Sequence, residues 1–325
     1  MIIPLPNTTT REISKKLVEA QEHYTLTTGR VLTLIVAARE DDDLENILAS
    51  VRDASHEHPS RVLVVVTGDP QADTHLDAQL RVGGEAGASE MVIMKLHGAL
   101  ANQDEAVVTP LLLPDTPLVA WWPTLCPPDP AASSVGKLAQ RRITNVAHDG
   151  RVTGEDLRTL SAGYTPGDSD MSWAAITLWR GVVASALDRH PHEPVQSVEV
   201  AGPAGHPAPD FAAGWLLDRL AVPVHRTVTD SQEPHFPVTH LRFNRETSHV
   251  DVDVVDERTV RVCVPGSPDS LVSLSKRSQA EVLSEELRHL DADKTYAQAL
   301  RALAQVDYSK PVSYTHLTLP TNREV

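Results

Sequence analysis

Residues 30–67 read RVLTLIVAAREDDDLENILASVRDASHEHPSRVLVVVT, and the argument for the fold class starts there. Residues 30–38 form a near-continuous apolar run rich in β-branched side chains, as a strand does when both faces of its sheet are covered. Asp41, Asp42 and Asp43 then open a helix, their carboxylates at the positive end of its dipole. Leu44, Ile47, Leu48 and Val51 fall at i, i+3, i+4 and i+7, which makes one apolar stripe. Pro59 ends the helix, and residues 61–67 supply a second buried strand. A strand, helix, strand order with connections this short predicts a right-handed crossover and a partly parallel sheet.

Outward from this unit, residues 8–23 offer a hydroxyl N-cap and the pair Ile13 and Leu17, a first helix. Residues 74–82 and 90–97 alternate as strands around a turn with Gly83, Gly84 and Gly87. A helix is expected to end near Leu113, and residues 117–123 read as a short strand stopped by proline. Residues 126–136 are a composition break dense in Pro and Ser. Beyond it come a helix at about 172–187, a strand at 195–201, a helix at 209–220, a strand at 223–228, and three meander strands near 239–243, 250–255 and 259–264. Helices around 277–290 and 294–304 close the pattern. The expected fold is therefore α/β, with two mixed-sheet α/β domains and C-terminal helices. The shared coarse order of the halves would suit a duplicated unit, although no sequence identity between them is evident.

The expected domains are 1–126, an N-terminal α/β domain; 127–165, a connection with small elements such as 142–147; and 166–310, a C-terminal α/β domain. Residues 311–325 are set apart. Val312 to Val325, VSYTHLTLPTNREV, break the preceding helical pattern and resemble translated transposase adapter from a sequencing library. Back-translation lets Pro311 to Thr321 spell the adapter's fixed bases, so the tail is excluded from fold reasoning.

Among 325 residues, 44 Asp and Glu against 29 Lys and Arg give a formal charge of -15, with no basic block to offset it. Such a surface repels phosphate backbones, so nucleic acid is excluded as a partner. Hydrophobic residues make up 41% of the chain and charged ones 22%, an ordinary balance for a packed globular protein. Uninterrupted apolar runs such as Leu34 to Ala38 fall far short of the ~20 residues that cross a bilayer. The start, MIIPLPN, has neither a basic n-region nor a long apolar h-region, so a cytoplasmic protein is expected. Cys126 and Cys263 stand far apart in no CxxC spacing and read as reduced thiols.

The search for chemistry assigns no catalytic, cofactor or metal residue. No GxGxxG follows the first strand, and the turn there is acidic where a pyrophosphate would sit. P-loop, GxSxG and HExxH patterns are missing from the sequence. The pairs His56 with His58 and His190 with His192 lack a third ligand at defined spacing. What stands out is tryptophan: four of the five fall in two clusters, Trp121 with Trp122 and Trp173 with Trp179. Neighbours on a strand point to opposite faces, so Trp121 and Trp122 cannot share one core layer, and something else must cover the second. That cover is the other domain or a partner, with plain core packing the competing reading. Arg180 adjoins Trp179, a pairing common at interface hot spots.

At these residues the chain resembles the OpcA family of glucose-6-phosphate dehydrogenase assembly proteins, in its actinobacterial form. The resemblance is carried by His58-Pro-Ser-Arg-Val62, by Leu113-Pro-Asp-Thr-Pro-Leu-Val-Ala-Trp-Trp-Pro123 and by Asp170-Met-Ser-Trp-Ala-Ala-Ile-Thr-Leu-Trp-Arg180. The family's last motif usually reads D-L-x-W-x-R-x-T-P-W-R. Here Ala175 replaces the internal Arg and Leu178 the Pro, while Trp173, Thr177, Trp179 and Arg180 carry over. The resemblance implies a non-enzymatic factor that binds glucose-6-phosphate dehydrogenase, promotes its active oligomer and so supports the oxidative pentose phosphate pathway and NADPH supply. Trp121, Trp122, Trp173, Thr177, Trp179 and Arg180 become candidates for the partner interface or for docking the two domains. The alternative is an α/β enzyme or binding protein for a phosphorylated or nucleotide small molecule.

Overall fold

The computed structural model describes residues 1–23, 30–86, 90–148, 154–229 and 236–308. Gly87 and the tail from 309 onward lie outside these residues. The unit argued from sequence is present as β2 (Leu32–Arg39), α2 (Leu44–Ala54) and β3 (Ser60–Thr67), and the two strands pair in parallel with Leu34 opposite Val62. Asp43 caps α2 by accepting the Asn46 N–H at 3.2 Å.

These strands sit inside an eight-stranded sheet in the order β1-β4-β5-β3-β2-β6-β7-β8. The others are β1 (Ile2–Leu5), β4 (His75–Arg81), β5 (Glu90–His97), β6 (Leu118–Trp121), β7 (Arg141–Thr144) and β8 (Asp168–Asp170). From β5 to β8 every pairing is parallel, and β1 and β4 add an antiparallel edge. Side chains alternate across the sheet: Leu34, Val36, Val62 and Val64 join one core, and Ile35, Leu63 and Val65 the other. Two-sided burial is why the run 32–38 carries so little polarity. The second core lies under α1 (Thr10–His23), α3 (Asp104–Val108) and α4 (Ser134–Leu138).

A six-stranded sheet follows in the order β10-β9-β11-β12-β13-β14. Here β9 (Val195–Pro203) and β10 (Val224–Thr229) pair in parallel through α8 (Ala208–Leu220). The antiparallel remainder is β11 (His240–Arg245), β12 (His249–Asp256), β13 (Thr259–Cys263) and β14 (Ser270–Ser273). Its core takes side chains from α5 (Gly154–Ala162), α7 (Thr177–Leu187), α8 and α10 (Lys294–Ala302). The two strand orders differ, so the coarse likeness of the halves does not extend to topology.

Several expectations change in detail. The segment 127–165 holds β7 as well as α4 and α5, and with β8 it extends the first sheet to Asp170. The helix expected to end near Leu113 is a short α3 between two 3-10 turns, where Pro110 lacks the N–H that a continuing helix needs. The helix expected at 172–187 is two, α6 (Met171–Ala175) and α7, broken at Ile176 with ψ near 10°. That break lets Met171 and Ala174 serve the α2-side core of the first sheet while Trp173, Ile176 and Trp179 serve the core of the six-stranded sheet. The final pair of helices divides likewise: α9 (Gln279–Arg288) returns Val282, Leu283 and Leu287 to the α2-side core of the first sheet, and α10 stays with the core of the six-stranded sheet.

Candidate functional site

The sequence motifs meet where the two sheets join. β6 and the residue that follows it place Trp121 and Trp122 in different cores: Trp121 shares one with Met171, Ala174, Val282 and Leu283, and Trp122 one with Leu111, Val135 and Ala139. The core that holds Trp121 draws on α2 of the N-terminal half as well as on α6 and α9 of the C-terminal half. The Trp122 face is covered by helices of the N-terminal half. Trp121 Nε1 is buried without a hydrogen-bond acceptor, a costly group to leave unpaired.

Below α6, Asp170 accepts the Ser172 N–H at 2.8 Å, the Val146 N–H at 3.0 Å and the Thr144 hydroxyl at 2.7 Å. Burial pushes its carboxyl above the usual range, and these donors oppose the shift. One residue earlier on β8, the Ser169 hydroxyl donates to Glu286 of α9, which also receives Arg141 Nη2 at 2.7 Å. Glu286 is itself held above the usual carboxylate range by burial. Asp168 pairs with Arg142, whose other nitrogens donate to the carbonyls of Ala139 and Pro166 at 2.7 Å. β7, β8 and α9 are tied by charge as well as by packing.

Above α6, Trp173 donates Nε1 to Asp293 Oδ2 at 2.7 Å, and Arg180 lies over its ring at 3.6 Å from the centroid. Asp293 Oδ1 meanwhile caps α10, accepting Thr295 N–H at 2.8 Å and Tyr296 N–H at 3.0 Å. Arg180 donates Nη2 to the Thr177 hydroxyl at 3.1 Å, and burial lowers its pKa to about 10 against the pull of Asp293, Glu286 and Glu285. The six candidates separate by exposure. The four indoles are at most 6% exposed, Thr177 and Arg180 are half-buried, and Leu178 between them is 57% exposed.

The remaining motif carries the same theme. His58 Nε2 meets the Ser284 carbonyl at 3.0 Å, and Arg61 pairs with Glu90 while donating to the Leu111 carbonyl at 2.9 Å. Asp293, Glu286 and Arg141 were not legible as site residues, because they come together from segments up to 150 positions apart with no spacing signal.

An open cleft of about 1530 Å³ lies between the sheets, at the C-terminal ends of β2, β6, β7, β9 and β10. Its lining includes Asp43, Thr124, Asn145, Ser172, His206 and Lys276. His206 is pushed down to about 4 by burial beside Lys276 and Arg226, and its Nδ1 accepts the Ala208 N–H at 3.1 Å. Clefts at such strand ends are where open α/β sheets bind ligands. Here, however, Asp43 fills the start of α2 and Asp42 accepts both the Arg39 N–H and the Thr124 hydroxyl.

Two family models match the chain in order. The N-terminal domain of a glucose-6-phosphate dehydrogenase subunit matches residues 51–162, and the C-terminal domain of that subunit matches residues 166–300. Among solved structures, the chain is similar to an inositol dehydrogenase homolog from Azotobacter vinelandii complexed with NADH and myo-inositol. That similarity is 8% in identity with a TM-score of 0.43, over 86% of this chain and 95% of that one. An oxidoreductase from Sinorhizobium meliloti is 9% identical with a TM-score of 0.37, over 86% of this chain and 97% of that one. No curated protein matches significantly. No described helix is long and apolar enough to cross a membrane.

Proposed function

Since the chain belongs to the OpcA-type family of glucose-6-phosphate dehydrogenase assembly proteins, we propose that it is a cytoplasmic, non-enzymatic factor that binds that dehydrogenase and promotes its active oligomer. The observation that carries this reading is the ordered match of both family domains to the two halves of one chain. A factor of this kind works by binding the active assembly more tightly than the inactive forms. It shifts their populations by no more than that difference in affinity.

The burial of the four indoles supports a holding role for them. In this reading Trp121, Trp122, Trp173 and Trp179 keep the two sheets in one arrangement, and the surface presented to the dehydrogenase includes Thr177, Arg180 and the exposed Leu178. The test adds the purified full chain to the cognate dehydrogenase and measures turnover and oligomer mass together. Increases in both are expected. No change in either would remove the reading.

The cleft between the sheets favours a second reading, a binding protein for a small molecule. Asp43 in its lining, at the start of α2, disfavours a phosphate on that helix end. A shift in melting temperature on adding nucleoside phosphates, with no effect on the dehydrogenase, would favour this alternative.

A further inference from the structure

We propose that His75, Asp77 and His97 form a site for one divalent transition-metal cation, bound by two imidazole nitrogens and a carboxylate oxygen. The three residues each offer a ligand atom, and these atoms all lie within 4.8 Å of one another. The site has no bearing on the dehydrogenase reading and rests on different residues.

The sheet builds it. β4 and β5 run antiparallel with His75 directly opposite His97, and Asp77, two residues along, points to the same face. On β4 the alternate residues Leu76, Ala78 and Leu80 enter the core, so the metal-ligating set is left on the face that solvent reaches. Lys95 is the charged residue in register opposite Asp77, whose carboxylate oxygens face the Asn7 N–H and His75 Nε2.

The ligands are held from behind, as metal ligands usually are. His75 Nδ1 lies 2.7 Å from the Asp73 carbonyl, which requires the proton on Nδ1 and makes Nε2 the nitrogen through which the ring would ligate a metal. That Nε2 faces Asp77 Oδ2 at 3.6 Å, while Asp77 Oδ1 accepts the Asn7 N–H at 2.7 Å. The His97 ring lies against Gly68, where a Cβ would come within 2.6 Å of Nδ1. Only glycine leaves room for the ring in this position. The next residue, Gly98, has φ +61° and packs against Ala72 and Thr74, which fixes the turn that presents His97.

The imidazoles now stack with centroids 4.4 Å apart and planes 10° from parallel. Lone pairs of parallel rings lie in separate planes, so binding turns one ring out of the stack. Metal–nitrogen bonds of about 2.0–2.1 Å then draw the ligand atoms closer by roughly an ångström. Two imidazoles and one carboxylate with open positions suit zinc and its first-row neighbours, with water completing the coordination. The bound ion would link β4, β5 and, through Asp77, the segment between β1 and α1.

The test is calorimetric titration of the tag-free full chain with zinc chloride, repeated with cobalt(II) followed by visible absorption. One equivalent of zinc is expected, with affinity lowered at least about tenfold by His75→Gln, Asp77→Asn and His97→Gln. Melting curves verify that each variant is folded, and because the ligands come from two strands, a variant that fails to fold leaves the others to decide. Absence of a saturable site, or zinc binding by the folded variants as tight as that of the parent chain, overturns the assignment.

Discussion

The guanidinium of Arg180 lies 3.6 Å from the centroid of the Trp173 ring, on an indole whose Nε1 is bonded to Asp293 at 2.7 Å. One tryptophan therefore connects the start of α7, the break at Ile176 and the cap of α10. Because it is buried, its loss acts on stability. Trp173→Ala should destabilise the chain by about 3–5 kcal/mol, the usual range for deleting a large buried aromatic. Trp173→Phe keeps a ring for Arg180 but leaves Asp293 Oδ2 without its donor, at about 1–3 kcal/mol. Urea unfolding followed by fluorescence measures both.

Arg141 and Glu286 form a pair in which both side chains are only 4% exposed. Removing one partner leaves the other charged and buried, so Arg141→Met should cost about 3–5 kcal/mol. Replacing both, as Arg141→Met with Glu286→Leu, should recover most of that loss. A double-mutant cycle from urea midpoints measures the difference.

His206 gives a pH dependence of defined sign. Its folded pKa, about 4, lies below its ordinary 6.5, so between these values the unfolded chain binds more protons. The stability it contributes is fully present above pH 6.5 and declines as the pH falls toward 4. His206→Asn, which keeps an acceptor for the Ala208 N–H, should flatten this part of the curve. Unfolding free energies measured across that range test it.

Gly167 sits at φ +103°, and a Cβ there would come within 2.2 Å of the Gln140 carbonyl and 2.9 Å of the Arg142 guanidinium. Gly167→Ala must both strain the backbone and displace the partner of Asp168. A loss of about 1–3 kcal/mol is expected from the backbone alone. Thermal unfolding should show it, and Gly181→Ala, at an exposed position inside α7 where nothing stands within 4 Å, serves as the contrasting control with an expected gain of up to about 1 kcal/mol.

Leu178 is 57% exposed beside half-buried Thr177 and Arg180. Leu178→Asp should leave the melting temperature within about 1–2 °C of the parent, since surface changes usually stay within ±0.5 kcal/mol. If this face contacts the dehydrogenase, the same change weakens complex formation, which sedimentation of the mixture measures.

What the sequence determined by itself follows from short-range physics. The alternation and apolar runs of residues 30–67 sufficed for β2, α2, β3 and their parallel pairing, because periodicity and burial are local properties of the chain. The opposite orientations of Trp121 and Trp122 followed from the pleat of a strand. The edge strands β1, β8 and β14 were not legible, being three or four residues long with little apolar signal. Only the tertiary structure decided that α9 returns to the α2-side core of the first sheet, that Trp173 meets Asp293 and that His75 stacks on His97. Those contacts join segments 22 to more than 100 residues apart, and a side chain's partner at that distance is set by how sheets and helices stack, which no local pattern records.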